Sequence, residues 1–329
     1  MSSLPSSADP SHPIAADRLP RTPIDFVPDA RARRQGVFEK AIELALFLAA
    51  ASSVAITIGI VVMLLVESWP FFARVGLVKF LFDTEWTPLL GQPRYGIWGL
   101  LSGTITTTLV ALFVAVPVGT IAAIWLSEYC HARLREVIKP VLELLSAVPT
   151  VVYGYFALLF ITPILQAILA KMGIDLPRFN MLSAGLVMGI MIIPYVASLS
   201  EDAMRAVPMA LREGSFAMGA TRLQTAWRVV VPAAFSGVTA AYILGIARAV
   251  GETMIVAIAA GNMAGFHFNP LSEGQTITAY IVSLAKGDQP HGSIEYRTIF
   301  AAGLTLMVLT LFFNVAGYLI RKRYREAYS

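Results

Sequence analysis

Cysteine occurs once in the 329 residues, at Cys130, and histidine four times, at His12, His131, His267 and His291. A single thiol excludes an intrachain disulfide and a cysteine-based metal site. The histidines are scattered through the N-terminal segment and the connecting loops, at spacings that fit no metal cluster, so they read as surface residues and the chain carries no metal or catalytic constellation. Charge is scarce as well: 14% of the residues are charged against 57% hydrophobic, with a mean hydropathy of +0.69, which is too apolar for a soluble globular domain of this size. No lysine follows a glycine, so the motif G-x-x-x-x-G-K-[ST] is absent and the chain holds no loop that would cradle the phosphates of ATP. The first 40 residues have no apolar stretch that could form the core of a signal peptide. Their Pro, Ser, Ala and Arg composition predicts a disordered tail over 1–40.

What the chain does have is long apolar runs. Six of them, at approximately 41–66, 97–126, 140–169, 181–200, 233–261 and 299–320, reach the roughly 20 residues needed to cross a hydrocarbon layer about 30 Å thick. Six crossings put both termini on one side of the membrane. Basic residues choose the side, because Lys and Arg near helix ends are retained in the cytoplasm. Arg31, Arg33, Arg34 and Lys40, then Arg133, Arg135 and Lys139, then Arg205, Arg212, Arg222 and Arg228, and finally Arg321, Lys322, Arg323 and Arg325 all fall on one set of connecting segments. The other set holds Arg74, Lys79, Arg94, Lys171, Arg178, Lys286 and Arg297. Both termini are therefore expected in the cytoplasm, with a basic C-terminal tail over 321–329. The pI near 9.2 follows from this asymmetry beside an anionic leaflet and does not point to nucleic acid; the expected contact is membrane lipid.

Between the first two runs, Trp69, Trp86, Tyr95 and Trp98 suit the headgroup zone, where amphipathic rings are favoured. Pro117, Pro163 and Pro194 stand inside three of the runs and predict helices able to bend. Thr104, Thr106, Thr107 and Thr108 either line a polar path or bond back to their own helix. After the fourth run, Ser200 is placed to cap a helix, with Glu201 and Asp202 near its positive end. Glu143 is expected to pair with Lys139 one turn earlier, and Glu128 to lie at the interface.

The segment from Glu213 to Pro232, EGSFAMGATRLQTAWRVVVP, is polar and charged between two strongly apolar runs. Its apolar positions and the glycine between them predict two short helices joined by a turn at Gly219, and Pro232 predicts the start of the fifth span. Glu213, Gly219 six residues on and Pro232 thirteen further resemble the cytoplasmic coupling loop of ABC-importer permeases. From about residue 70 to 261 the chain is also similar to the phosphate-specific permeases of the PstC type, through FLFDTEWTP, LSGTITTTLVALFVAVPVGTIAAIWLSEY, AVPTVVYGYFAL, AGLVMGIMIIPYVASLSEDAMRAVP and ARAVGETM. The loop departs from the family pattern at Gly214, Ser215 and Val229–Val231, which keep small and apolar character.

The resemblance implies an all-α membrane protein: the type I ABC importer permease fold, with six transmembrane helices over 41–320 and a coupling loop over about 201–232. It implies that Glu213, Gly219, Ala220, Arg222 and Pro232 meet a separate ATPase. ATP and Mg would be bound there, so this chain is expected to hold no cofactor. The implied partners are a PstA-type permease, two PstB-type ATPase subunits and an extracytoplasmic PstS-type phosphate-binding protein, working by alternating access at the bacterial inner membrane, with inorganic phosphate as cargo.

Arg248 and Glu252 are the clearest charges inside an apolar run, a position that costs about 2.5–3.5 kcal/mol per charge on insertion scales and usually faces a bundle interior or water. Four residues apart, they are expected to share a helix face and neutralise each other. Either they line the translocation path, Arg248 meeting a phosphate oxygen and Glu252 accepting the proton of hydrogen phosphate, or they form a self-satisfied pair holding helices together. Three other functions compete with this one: a permease for sulfate or molybdate, an intramembrane enzyme, and a passive channel or secondary transporter. The enzyme would need a nucleophile or metal ligands at membrane depth, where no histidine or cysteine stands.

Overall fold

A computed structural model describes residues 30–89, 92–287 and 289–323. It is all-α: the described residues contain no strand, only an isolated antiparallel bridge between Trp86 and Tyr95. Two compact units divide at Gly59 and Ile60. The first consists, in its described part, of the beginning of helix α1 (Ala30–Val75), whose side chains from Phe38 to Gly59 are exposed. The tail expected over 1–40 lies mostly outside the described residues, but 30–40 is helical, the start of α1.

The second unit begins with the rest of α1 and the short α2 (Leu77–Phe82). A ring network follows from the sequence between them: Phe71 meets Phe80 and Tyr95 edge-on, and Trp86 meets Phe80, Tyr95 and Tyr280. This corrects the interfacial reading for Trp86, which is 3% exposed: its ring packs inside the unit, and Trp69 and Trp98 remain exposed. Burial, with the charge of Glu295 second, pushes the Tyr95 hydroxyl above its usual pKa.

Helix α3 (Trp98–Ile124) ends in a π-turn, Trp125–Tyr129. The amphipathic α4 (Ala132–Ser146) follows, then α5 (Thr150–Phe156), a second π-turn Ala157–Ile161 and α6 (Thr162–Ala170). The single run expected at 140–169 is thus broken, because Pro149 is extended at φ −56°, ψ 130° and disfavours helix in the residue before it. Helix α7 (Met181–Arg205) starts at Asn180, whose side chain accepts from the Ser183 N–H at 2.7 Å. It runs unbroken through Pro194 and past Ser200, so Ser200 is not a cap but a buried interior residue.

The most extensive helix contact joins α3 and α7. Small residues let the backbones close: a β-carbon on Gly185 would stand 2.7 Å from that of Val110, and one on Gly189 2.7 Å from the Ala111 carbonyl. Of the four neighbouring threonines of α3, Thr104 bonds back to Leu100 O and Thr107 to Gly103 O, while the Thr106 and Thr108 hydroxyls are buried with no partner among the described residues. Helix α4 is tied to α7 by charge. Lys139 Nζ lies 3.0 Å from Glu201 and also bonds Asp202, while Arg135 and Arg205 approach Glu201 at 3.9 and 3.8 Å. Lys139 therefore does not pair with Glu143 as expected, since the 1% exposed carboxylate of Glu201 requires nearby cations. Burial lowers the Lys139 pKa, but the bonds to Asp202 and Glu201 outweigh it and hold the ammonium above its ordinary 10.5.

The remaining elements are α8 (Met209–Ala217), α9 (Arg222–Thr225), a third π-turn Ala226–Val230, α10 (Val231–Ala233), α11 (Phe235–Val250), α12 (Met254–Ala259), α13 (Ile277–Ala285) and α14 (Ile294–Arg323). Among the described residues five helices are long and apolar enough to span a membrane, and a sixth span is made if the segments Arg222–Ala233 and Phe235–Val250, bent by 75°, count as one. The fifth run, expected over 233–261, stops at Val250. Residues 321–323 of the expected basic tail belong to α14; the remainder lies outside the described residues.

Candidate functional site

Two features gather the residues singled out in the sequence. The first is a helical hairpin at the basic end of α7. Helix α8 begins after Pro208 and ends where Gly219 takes φ 80°, a conformation that costs a side chain strain. The Gly219 N–H donates to Phe216 O at 2.9 Å and the Ala220 N–H to Ser215 O at 3.1 Å, the paired closure that satisfies terminal carbonyls of a helix. Thr221 then caps α9: its hydroxyl accepts from the Gln224 N–H, and the Gln224 side chain accepts from the Thr221 N–H. This capping box is legible in T-R-L-Q, a signal the sequence reading did not use. Ser215 and Thr225 hydroxyls, 2.9 Å apart, join the two helices.

Glu213, Gly219 and Arg222 are exposed on this hairpin, Ala220 within it is half-buried, and Pro232 is exposed outside it. The structure thus brings Glu213, Gly219 and Arg222 onto the hairpin's free surface, with Pro232 in α10 beyond it. Apolar side chains share that surface, chiefly Met218, Leu223 and Trp227, and Met218 is 88% exposed. Arg212 does the opposite. It is the one buried residue of α8, and its guanidinium bonds Glu128 at 3.0 Å. Glu128 is therefore not a free interfacial carboxylate but half of a buried ion pair.

The second feature is the break after α11. Arg248 and Glu252 do not pair with each other, because α11 ends at Val250 and the chain turns before Glu252, which removes the i,i+4 geometry. Arg248 donates to Ser146 O at 3.4 Å and lies 5.7 Å from the centre of the Tyr195 ring, within cation–π range; its Nε has no partner among the described residues. Glu252 is buried, and its Oε1 accepts from Met254 N at 3.0 Å and Ile255 N at 3.3 Å, which starts α12. Its own carbonyl accepts from the Thr278 hydroxyl at 2.7 Å. Each charge is thus held by a separate set of partners around an interrupted helix, the arrangement in which irregular backbone is tolerated at membrane depth.

A third feature was not foreseen. At the opposite end of α3 from Glu128, a cavity of about 820 Å³ is lined by Trp86, Asn262, His267, Glu273, Gln275 and Tyr280 among others. Packing there is close: a side chain on Gly103 would collide with the Gln275 carbonyl. No sequence signal marks it, since its walls come from segments far apart in the chain. Among the described residues no cluster of His, Cys, Asp and Glu could hold a metal ion.

Residues 115–326 match the profile of the family described as "Binding-protein-dependent transport system inner membrane component". The probable ABC transporter permease protein YqgH of Bacillus subtilis is 36% identical over 276 residues, spanning 83% of this chain and 86% of that protein. The phosphate transport system permease protein PstC 1 of Mycobacterium tuberculosis is 34% identical over 74% of this chain and 81% of its own; PstC of Pasteurella multocida is 32% identical over 77% and 82%. Among solved structures, a chain of the bacterial alginate ABC transporter superposes with a TM-score of 0.60 at 16% identity over 88% of this chain and 96% of its own. A chain of the MetNI methionine ABC transporter gives 0.51 at 19% identity over 70% and 95%. These likenesses show the fold shared with ABC importer permeases.

Proposed function

The chain belongs to the family of binding-protein-dependent transport system inner membrane components, a membrane transport subunit, and from that premise we propose that it carries inorganic phosphate across the bacterial cytoplasmic membrane as the PstC-type half of an ATP-driven importer. The observation that carries the cargo is the similarity, over most of their length, to permeases named for phosphate transport. The hairpin α8–α9 is the part that meets a separate ATPase. Glu213, Gly219, Ala220 and Arg222 form its contact surface with the apolar side chains around Met218, and Pro232 starts the segment that leads to α11. ATP and Mg are bound by two PstB-type subunits. A PstA-type permease completes the path, and a PstS-type binding protein delivers phosphate at the end that holds the cavity beside Trp86. Both termini and the hairpin face the cytoplasm, in keeping with the concentration of Arg and Lys at that end.

In this reading Arg248 meets a phosphate oxygen. Its guanidinium is only partly satisfied by Ser146 and Tyr195, so N–H capacity remains for an anion, and a planar fork suits phosphate. Glu252 keeps the break open by holding the first amides of α12. Its carboxylate accepts the proton of hydrogen phosphate and leaves fully ionised sulfate without a favourable contact. ATP closure of the ATPase dimer moves the hairpin, and the spans reorient by alternating access.

The test is ATP-dependent uptake into proteoliposomes holding this chain with the partner permease, ATPases and binding protein, in excess sulfate or molybdate. Phosphate uptake that resists both competitors is the expected result. Uptake of sulfate or molybdate with none of phosphate would overturn the cargo and leave the permease standing.

A further inference from the structure

Glu128 and Arg212 are 84 residues apart in the chain, and in the fold they meet at a place no surface contact requires. The Arg212 guanidinium binds three groups at once, the Glu128 carboxylate and two backbone carbonyls. Its Nε and Nη2 donate to Glu128 Oε1 at 3.2 and 3.0 Å, Nη1 to the Val207 carbonyl at 2.6 Å and Nη2 to the Met204 carbonyl at 2.9 Å. The two side chains are 10% and 8% exposed, and Glu128 also accepts from Ser127 Oγ at 2.9 Å. Three elements thus meet at one rigid group: α8 of the hairpin, the last turn of α7 with the link after it, and the π-turn that ends α3.

The chain itself connects α8 to α7 only through Ala206–Pro208, where Pro208 is extended at φ −55°, ψ 139°. No chain segment joins α8 directly to α3, and among the described residues the Arg212–Glu128 pair is the one hydrogen-bonded connection between them. Helices α3 and α7 are in turn locked together through the small-residue seam at Gly185 and Gly189, so a displacement delivered to the end of either is shared by both. A guanidinium fork fixes distance and angle together and cannot lose its proton, which suits a joint that must carry motion rather than only attract. The exposed hairpin surface and this joint lie on different faces of α8: Glu213, next in sequence, is exposed and Arg212 is buried.

We infer that Arg212, through Glu128 and the Met204 and Val207 carbonyls, is the positioning residue that converts movement of the hairpin into movement of the α3–α7 pair. The inference rests on the importer reading above. Its loss is expected to uncouple the transporter without releasing the ATPase. Arg212 touches neither cargo nor the exposed hairpin surface.

The experiment compares wild type with Arg212→Gln, Glu128→Gln, the double variant and Arg212→Lys in the reconstituted complex. Three quantities are read: ATPase retained on affinity purification, ATP hydrolysis stimulated by loaded binding protein, and anion taken up per ATP. Expected are unchanged ATPase retention, an uptake-to-hydrolysis ratio lowered about five-fold or more in each Gln variant, a double variant no worse than the poorer single one, and partial rescue in Arg212→Lys. Glu128→Gln leaves α8 and its carbonyl bonds intact, so it reports even where Arg212→Gln assembles poorly. A wild-type ratio in assembled Glu128→Gln and Arg212→Gln, or loss of ATPase from Glu128→Gln, would overturn the inference. The ratio is read with whichever oxyanion the wild type carries, so a wrong cargo would not be mistaken for a wrong joint.

Discussion

At the residue scale, the two charges within the fifth apolar run do separate work. Arg248 is held by a carbonyl and an aromatic face, Glu252 by the amides that open α12. Arg248→Gln keeps some donor capacity but is shorter and loses charge, and an ionic hydrogen bond contributes about 1.5–3 kcal/mol, so phosphate uptake should fall by about ten-fold or more. Glu252→Gln retains an oxygen for the Met254 amide; the expected outcome is surviving uptake that sulfate now inhibits. Competition uptake assays check both, and unchanged uptake and selectivity in the two variants would remove them from the path. The sequence made these residues visible because charge is costly in an apolar run. It could not show that they fail to pair, since that depends on α11 ending at Val250.

At the scale of elements, the hairpin owes its shape to Gly219 and the Thr221 capping box. No atom stands within 4 Å of a β-carbon on Gly219, so Gly219→Ala meets no clash and the cost is backbone strain alone, about 1–2 kcal/mol. The turn should therefore loosen without loss of the spans. Retention of the ATPase on purified complexes should weaken, with Gly219→Asn, which tolerates the left-handed region better, between alanine and wild type. Equal retention in all three would show that the turn's geometry does not matter to docking. The two helices and the glycine between them were legible from apolar spacing. The length of α7 past Ser200 was not, because burial of Glu201 among Arg135, Lys139 and Arg205 outweighs the local preference of Ser200 for a cap.

At the scale of the whole molecule, the Arg212–Glu128 pair and the cavity beside Trp86 lie toward opposite ends of α3, which makes orientation measurable. Replacing Cys130 with serine and adding one cysteine, at Glu213 or at Leu89, gives two single-thiol proteins. In sealed inside-out vesicles an impermeant maleimide should label the Glu213→Cys protein and spare the Leu89→Cys protein, with the reverse in right-side-out vesicles. The reverse pattern would invert the topology.

The apolar runs, the sparse charge and the distribution of Arg and Lys determine by themselves an all-α membrane protein of about six spans, because a bilayer leaves backbone groups no partner except their own helix. The polar hairpin between two such runs was equally plain. Tertiary structure alone decided which charges meet. Arg212 with Glu128, Lys139 with Glu201 and the separation of Arg248 from Glu252 all depend on where helices stop and which ones touch, and those follow from packing between segments far apart in the chain, which no local spacing encodes.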